Sequence, residues 1–200
     1  KLRISLTSRC NYRCVFCHNE GGDQTKRSQE AITPDDIKVI TEVATSLGIQ
    51  RFTITGGEPF LNHEVLDILA EIKKVNKEID ISITTNGLLI GAHEIAKLAE
   101  YVSKISLNFQ GTDPATFEQM TGVPQIDKVK KFIDLALEAG IKICLNFVYT
   151  SKNQQELNNV ILYAVGKGID VKVIELIKDG NNSPLHADMD KLRGELLADS

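Results

Sequence analysis

Three cysteines crowd into eight residues, in the run Cys10-Asn11-Tyr12-Arg13-Cys14-Val15-Phe16-Cys17. Thiolates are the usual ligands of iron–sulfur clusters, and three of them on one short loop can hold three irons of a [4Fe-4S] cubane. The fourth iron then has no protein ligand and is open to a small molecule. A structural zinc site is the competing reading, and it needs a fourth ligand. His18 is adjacent, and His63 or a distant residue could serve. Close spacing of this kind points to a metal rather than to disulfides. Cys144 stands apart from the three. A lone strand cysteine is usually a small core residue, and contact with substrate or cluster is the sharper reading.

A second group of chemistry-bearing residues is Thr55-Gly56-Gly57-Glu58-Pro59. Two successive glycines let backbone polar groups approach a ligand closely, although a Gly-Gly pair alone would be no more than a strand–helix turn. The wider composition excludes several classes. A formal charge of −4 over 200 residues offers no overall attraction to nucleic acid or an anionic membrane. Apolar runs such as Ile79–Ile83 are far too short to span a bilayer.

These groups need a frame, and a strand followed by a helix recurs along the chain. Strands are expected at Leu2–Leu6, Arg51–Thr55, Asp80–Thr84, Ser103–Asn108, Ile141–Phe147 and Asp170–Leu176, each short, β-branched and flanked by turn formers. The first helix opens with Thr33 as N-cap, Pro34 in the first position and Asp36 three residues after the cap, and Gly48 ends it. Further helical patterns occupy about 63–76, 91–100, 126–139, 154–166 and 186–198. Strict alternation means a parallel α/β sheet. Strand parity distinguishes an open doubly wound sheet from a partial barrel. One face carries Ile4, Phe52, Ile54, Ile81, Ile83, Ile105, Leu107, Ile143 and Leu145. The other carries Arg3, Ser5, Thr53, Thr55, Ser82, Thr84, Lys104, Ser106, Asn108, Cys144 and Asn146. Helices on both faces would demand apolar residues on both. The pattern therefore predicts a partial (β/α)6 barrel of TIM type with a polar-lined interior, built as one core domain over residues 1–200. The opening at Lys1, inside a strand, points to a core trimmed from a longer protein, without its C-terminal extension.

The cysteine spacing after the first strand, with Gly-Gly-Glu-Pro after the second, resembles the radical S-adenosylmethionine (SAM) enzymes. The resemblance is closest to the GTP 3′,8-cyclase family of molybdenum-cofactor biosynthesis. It is carried by residues 2–14, Thr55 to Pro59, Thr84-Thr85-Asn86-Gly87 and Ile174-Glu175-Leu176. The resemblance implies that Cys10, Cys14 and Cys17 ligate a [4Fe-4S] cluster. It also implies that Tyr12, Gly56, Gly57, Glu58, Pro59, Asn86 and Ser106 form the SAM site, and that Ile177 replaces a methionine near the adenine. Arg3, Thr85 and Asn146 would face a nucleotide-like substrate. At two inward positions the chain departs from the family: Thr53 stands for an arginine and Cys144 for a lysine. Such cations would grip a triphosphate, so their loss argues against GTP bound in the family's manner. The family's second cluster uses cysteines beyond this region. The resemblance further implies reductive SAM cleavage to a 5′-deoxyadenosyl radical, an external electron donor of flavodoxin or ferredoxin type, and a reducing cytoplasm. A radical SAM enzyme acting on a peptide or another small molecule, and a non-catalytic zinc module, are the alternatives.

Overall fold

A computed structural model describes residues 1–17, 31–177 and 183–198, so His18 lies outside the described residues. Six strands pair in parallel in sequential order: β1 (Leu2–Ser5), β2 (Arg51–Thr55), β3 (Asp80–Thr85), β4 (Lys104–Asn108), β5 (Lys142–Tyr149) and β6 (Asp170–Glu175). The helices α1 (Pro34–Ser46), α2 (Val65–Val75) and α3 (Ala92–Tyr101) make the first three crossovers. Both α4 (Pro114–Thr121) and α5 (Ile126–Glu138) lie between β4 and β5. The helix α6 (Leu157–Lys167) leads to β6, and α7 (Met189–Ala198) follows it. This is the expected partial (β/α)6 barrel. Strand–helix alternation does not predict α4, and the helix expected from residue 154 begins as a 3₁₀ turn, Gln154–Glu156.

Register explains why the sheet has two unlike faces. Ile4, Ile54, Ile83, Ile105 and Ile143 lie side by side across five strands. Each is at most 5% exposed. Branched side chains suit this pleated surface, and burying each one contributes roughly 2 kcal/mol. Ile68, Leu69 and Ile72 of α2, Ile95 and Leu98 of α3, and Val129, Phe132 and Ile133 of α5 join the same core. A one-residue slip of any strand would turn its isoleucine into the interior and its hydroxyls into the core. The opposite face reads Thr84, Ser106, Cys144 and Asp170 in one row. The sixth strand keeps the parity, with Lys172 beside Asn146 on the polar face and Val171 and Val173 packed against the core.

The predicted start of α1 is reproduced. Thr33 Oγ1 accepts from the Asp36 N–H at 3.2 Å, and the Asp36 carboxylate accepts from the Thr33 N–H at 3.0 Å. The Thr33 hydroxyl also donates to that carboxylate at 2.7 Å, and this bond first, then the one from the Thr33 N–H, hold the Asp36 carboxyl below its ordinary range. Among the described residues, no helix is long and apolar enough to cross a membrane.

Candidate functional site

The cysteine loop leaves the carboxyl end of β1, where a parallel barrel presents its functional loops. None of its cysteines is in a disulfide; Cys10 and Cys14 are half-buried and Cys17 is exposed. Two sets of backbone bonds hold the loop. On the β2 side, the Gly57 N–H donates to the Thr7 carbonyl and the Glu58 N–H to the Arg9 carbonyl, both at 2.7 Å. The approach is so close that a Cβ on Gly57 would lie 2.2 Å from the Arg9 oxygen, and one on Gly56 2.7 Å from the Thr7 oxygen. The two glycines therefore serve contact between chain segments. On the other side, the Arg13 and Val15 N–H groups donate to the Thr121 and Met120 carbonyls at 2.9 and 3.0 Å, at the end of α4. Gly122 closes that helix at φ 76°, a left-handed conformation that favours glycine.

Tyr12 drives the loop into the core. It is 2% exposed and meets Phe117 of α4 edge-on, with centroids 6.3 Å apart. Its hydroxyl is buried without a hydrogen-bond partner. Burial first, then the charges of Cys14, Glu58 and Cys10, push that phenol above its ordinary range. The Tyr12 N–H points at Cys10 Sγ, 3.4 Å away.

Glu58 is 1% exposed. Its carboxylate accepts from Thr85 Oγ1 at 2.6 Å, the Asn86 N–H at 2.8 Å and the Phe60 N–H at 3.2 Å. Burial pushes the acid up to about 6 against those bonds. The group thus fastens the turn after β2 to the end of β3. Thr85, expected toward a substrate, lies in register with Leu107 on the core side and spends its hydroxyl on Glu58. Asn86 donates through Nδ2 to Asn11 Oδ1 at 2.7 Å, linking β3 back to the cysteine loop. Pro59 is buried and opens a 3₁₀ turn, Pro59–Leu61.

Other predicted site residues line the interior. Arg3 Nη2 reaches Thr55 Oγ1 at 3.4 Å, and Thr53 Oγ1 shares a 2.9 Å hydrogen bond with Ser82 Oγ. Ser106 is half-buried beside Cys144. Cys144 is 7% exposed, so it is both buried and on the polar face. Asn146 is half-buried, one position further along β5 on the same face. Ile177 stands apart, 73% exposed beyond β6.

Sequence reasoning missed the supports from β4 onward. Asn108 Nδ2 donates to Cys14 Sγ at 3.5 Å, and a buried Gln110 backs it. Burial pushes the Cys14 thiol up to about 12 against that bond, with Cys10 and Cys17 adding to the rise. Glu156 Oε2 accepts from the Thr112 N–H at 2.7 Å and the Asp113 N–H at 3.0 Å, pinning the start of α4. Burial raises its carboxyl, but these bonds and those from Asn159 and Thr112 Oγ1 outweigh it and hold the group below its usual range. Asp113-Pro114 before α4 and Gly122 after it are the cap signals that mark this helix.

The donor set suits an iron–sulfur cubane: three soft thiol ligands on a fastened loop, available one to each of three irons. A zinc centre would need a fourth ligand beside these thiols; among the described residues no three His, Cys, Asp or Glu side chains, the three cysteines included, are drawn together about one point. An open cleft lies elsewhere. It spans about 460 Å³ and is lined by Lys1, Arg51, Asp80, Ser103, Lys104 and Lys142 at the amino ends of the strands.

Comparison with known proteins supplies the context. Residues 4–164 match the Radical SAM superfamily. The chain is 37% identical over 177 residues to a probable GTP 3′,8-cyclase of Sulfurisphaera tokodaii, covering 88% of this chain and 55% of that protein. It is 32% identical over 186 residues to a GTP 3′,8-cyclase of Petrotoga mobilis, covering 92% and 58%. The chain thus spans less than two thirds of the length of these relatives. In fold it resembles Streptococcus suis SuiB bound to S-adenosylmethionine, with a TM-score of 0.83 and 24% identity over 99% of this chain and 46% of that one.

Proposed function

The chain belongs to the radical SAM superfamily, a family of enzymes that work with a [4Fe-4S] cluster and SAM, and from that premise we propose that it is the catalytic core of an enzyme acting on a nucleotide-like substrate. The observation that carries this reading is the double fastening of the cysteine loop, to Gly57 and Glu58 on one side and to α4 on the other. It supports three thiols fixed at one mouth of a polar-lined barrel. Cys10, Cys14 and Cys17 would hold the cluster there, and it would supply the electron for reductive cleavage of SAM and, through that, hydrogen abstraction from substrate.

The chain's own residues bind, orient and shield. The Gly57 N–H is committed to Thr7, so a ligand meets this turn through carbonyl oxygens, which accept from an ammonium group such as that of SAM. Gly56 and Pro59 hold the turn's shape. Glu58, ionised at neutral pH, keeps Thr85 and Asn86 in place. Ser106 brings a hydroxyl to the centre of the polar face, Tyr12 anchors the loop from below, and Ile177 offers an apolar surface to the adenine. Arg3, Thr53, Cys144 and Asn146 face the substrate, and Thr85 supports them from behind. Arg3 and Lys172 are cations on that face, suited to an anionic nucleotide.

The GTP 3′,8-cyclase names of the relatives support GTP cyclisation as the leading case. Thr53 and Cys144 favour a second reading, a peptide or other small molecule, because both positions are neutral where that family carries cations. An external flavodoxin- or ferredoxin-type protein supplies the electron. An exposed ligand such as Cys17 fits a reducing cytoplasm.

Anaerobic reconstitution with iron and sulfide tests the reading. A brown protein whose electron paramagnetic resonance changes on adding SAM, and which forms 5′-deoxyadenosine with dithionite, is expected. A colourless protein that retains zinc would overturn it. Deuterium transfer into 5′-deoxyadenosine from labelled GTP, other nucleotides or peptides then identifies the substrate class.

A further inference from the structure

The cysteine loop meets a line of side-chain amides whose polarity is dictated by the main chain. Gln110, just beyond β4, is 0% exposed. Its Nε2 donates to the Asn146 carbonyl at 3.1 Å, and its Oε1 accepts from the Val148 N–H at 3.1 Å. A carbonyl oxygen can only accept and a backbone N–H can only donate, so this amide has one permitted orientation. Asn153, also 0% exposed, repeats the assignment from behind: its Nδ2 lies 3.4 Å from Gln110 Oε1 and its Oδ1 accepts from the Thr150 N–H at 2.9 Å.

The consequence passes forward. Gln110 Nε2 also donates to Asn108 Oδ1. With its oxygen turned to Gln110, Asn108 must turn Nδ2 the other way, and it lies 3.5 Å from Cys14 Sγ. The inverted amide would aim an oxygen lone pair at the sulfur instead. The backbone of β5 thereby selects which end of an amide two residues removed reaches the thiol.

We propose that Gln110 is a positioning residue: by orienting the Asn108 amide it directs an N–H donor at the Cys14 sulfur and so raises the reduction potential of the cluster that Cys14 ligates. The inference rests on the cluster assignment above. An N–H···S bond stabilises the more negative, reduced cluster more than the oxidised one, and hydrogen bonds to the sulfurs are among the protein's levers on potential.

A thermodynamic cycle tests it. The midpoint potential is measured without SAM, by anaerobic titration followed by electron paramagnetic resonance, for reconstituted wild type, Asn108→Leu, Gln110→Met and the double variant. Each single substitution is expected to shift the midpoint to a more negative value. The double variant is expected to match Asn108→Leu alone, because Gln110 acts through Asn108. An unshifted Asn108→Leu, or shifts that simply add, would overturn the proposal. Should Gln110→Met fail to fold, Gln110→Glu keeps an acceptor for the Val148 N–H and lacks the donor. The cycle cancels the through-space effect of its charge, and the coupling is the readout. A wild type that assembles no cubane refutes the functional reading and the relay together. A wild type with a normal cubane and no coupling refutes the relay alone.

Discussion

At the amino ends of the strands, Lys1, Arg51, Lys104 and Lys142 line an open cleft, and the contacts there are sparse: Lys104 sits 3.8 Å from Asp170 and Ser103 Oγ donates to Asp80 at 2.5 Å. At the carboxyl ends the polar side chains are far more committed. Glu58, Asn86, Gln110 and Asn153 are each at most 4% exposed, and their polar atoms are bonded across segments distant in sequence. Buried polar groups are costly unless satisfied, so a mouth crowded with satisfied ones has been built for placement. A rim of solvated cations has not.

Substitutions can break or sharpen this contrast, beginning with the largest effect. Cys14→Ala removes a proposed cluster ligand and is expected to abolish cubane assembly and SAM cleavage, read by iron content and 5′-deoxyadenosine formation; retained activity would sink the ligand assignment. Gly57→Ala places a Cβ 2.2 Å from the Arg9 oxygen. Main-chain atoms cannot step aside as a side chain can, and a loss of about 3 kcal/mol in urea unfolding is expected, with reduced cluster loading.

Glu58→Gln probes the buried acid. Its folded pKa, about 6, lies above the ordinary 4.5, so the folded state holds the proton more tightly. The resulting stability is present below pH 4.5 and is lost as pH rises through about 6. The stability of wild type relative to Glu58→Gln should therefore fall by about 2 kcal/mol between pH 4.5 and 7, measured by urea unfolding across that range. A flat difference would show that the carboxyl is not raised. At the opposite mouth, Lys104→Ala breaks a solvated ion pair and should change stability by no more than about 0.5 kcal/mol, with cleavage unaltered. A large effect there would undo the contrast.

The frame was legible because its signals are local. Ile4, Ile54, Ile83, Ile105 and Ile143 each alternate with polar neighbours within one strand, and Thr33, Pro34 and Asp36 spell a helix start within four residues. The thiols were legible for the same reason. Gln110 and Glu156 were not: as sequence they read as ordinary polar loop residues, and the backbone partners that fix them lie 36 to 44 residues away. Glu58 stood out in the sequence through its Gly-Gly-Glu-Pro run, but its bonds to Thr85 and Asn86 depend on how β2 and β3 sit together. Helix α4 escaped because it is eight residues long and buries only Phe117, Met120 and Thr121, too few for a clear helical stripe.

The loop's grip on its neighbours is made largely by peptide groups: the Thr7 and Arg9 carbonyls toward β2, and the Arg13 and Val15 N–H groups toward α4. Such bonds are indifferent to side-chain identity. Arg9 and Val15 could therefore exchange their side chains over evolutionary time without shifting the thiols, while the polar wall drifts toward new substrates. Inheritance of the cradle and invention in the cavity are separable, because they are written in different atoms.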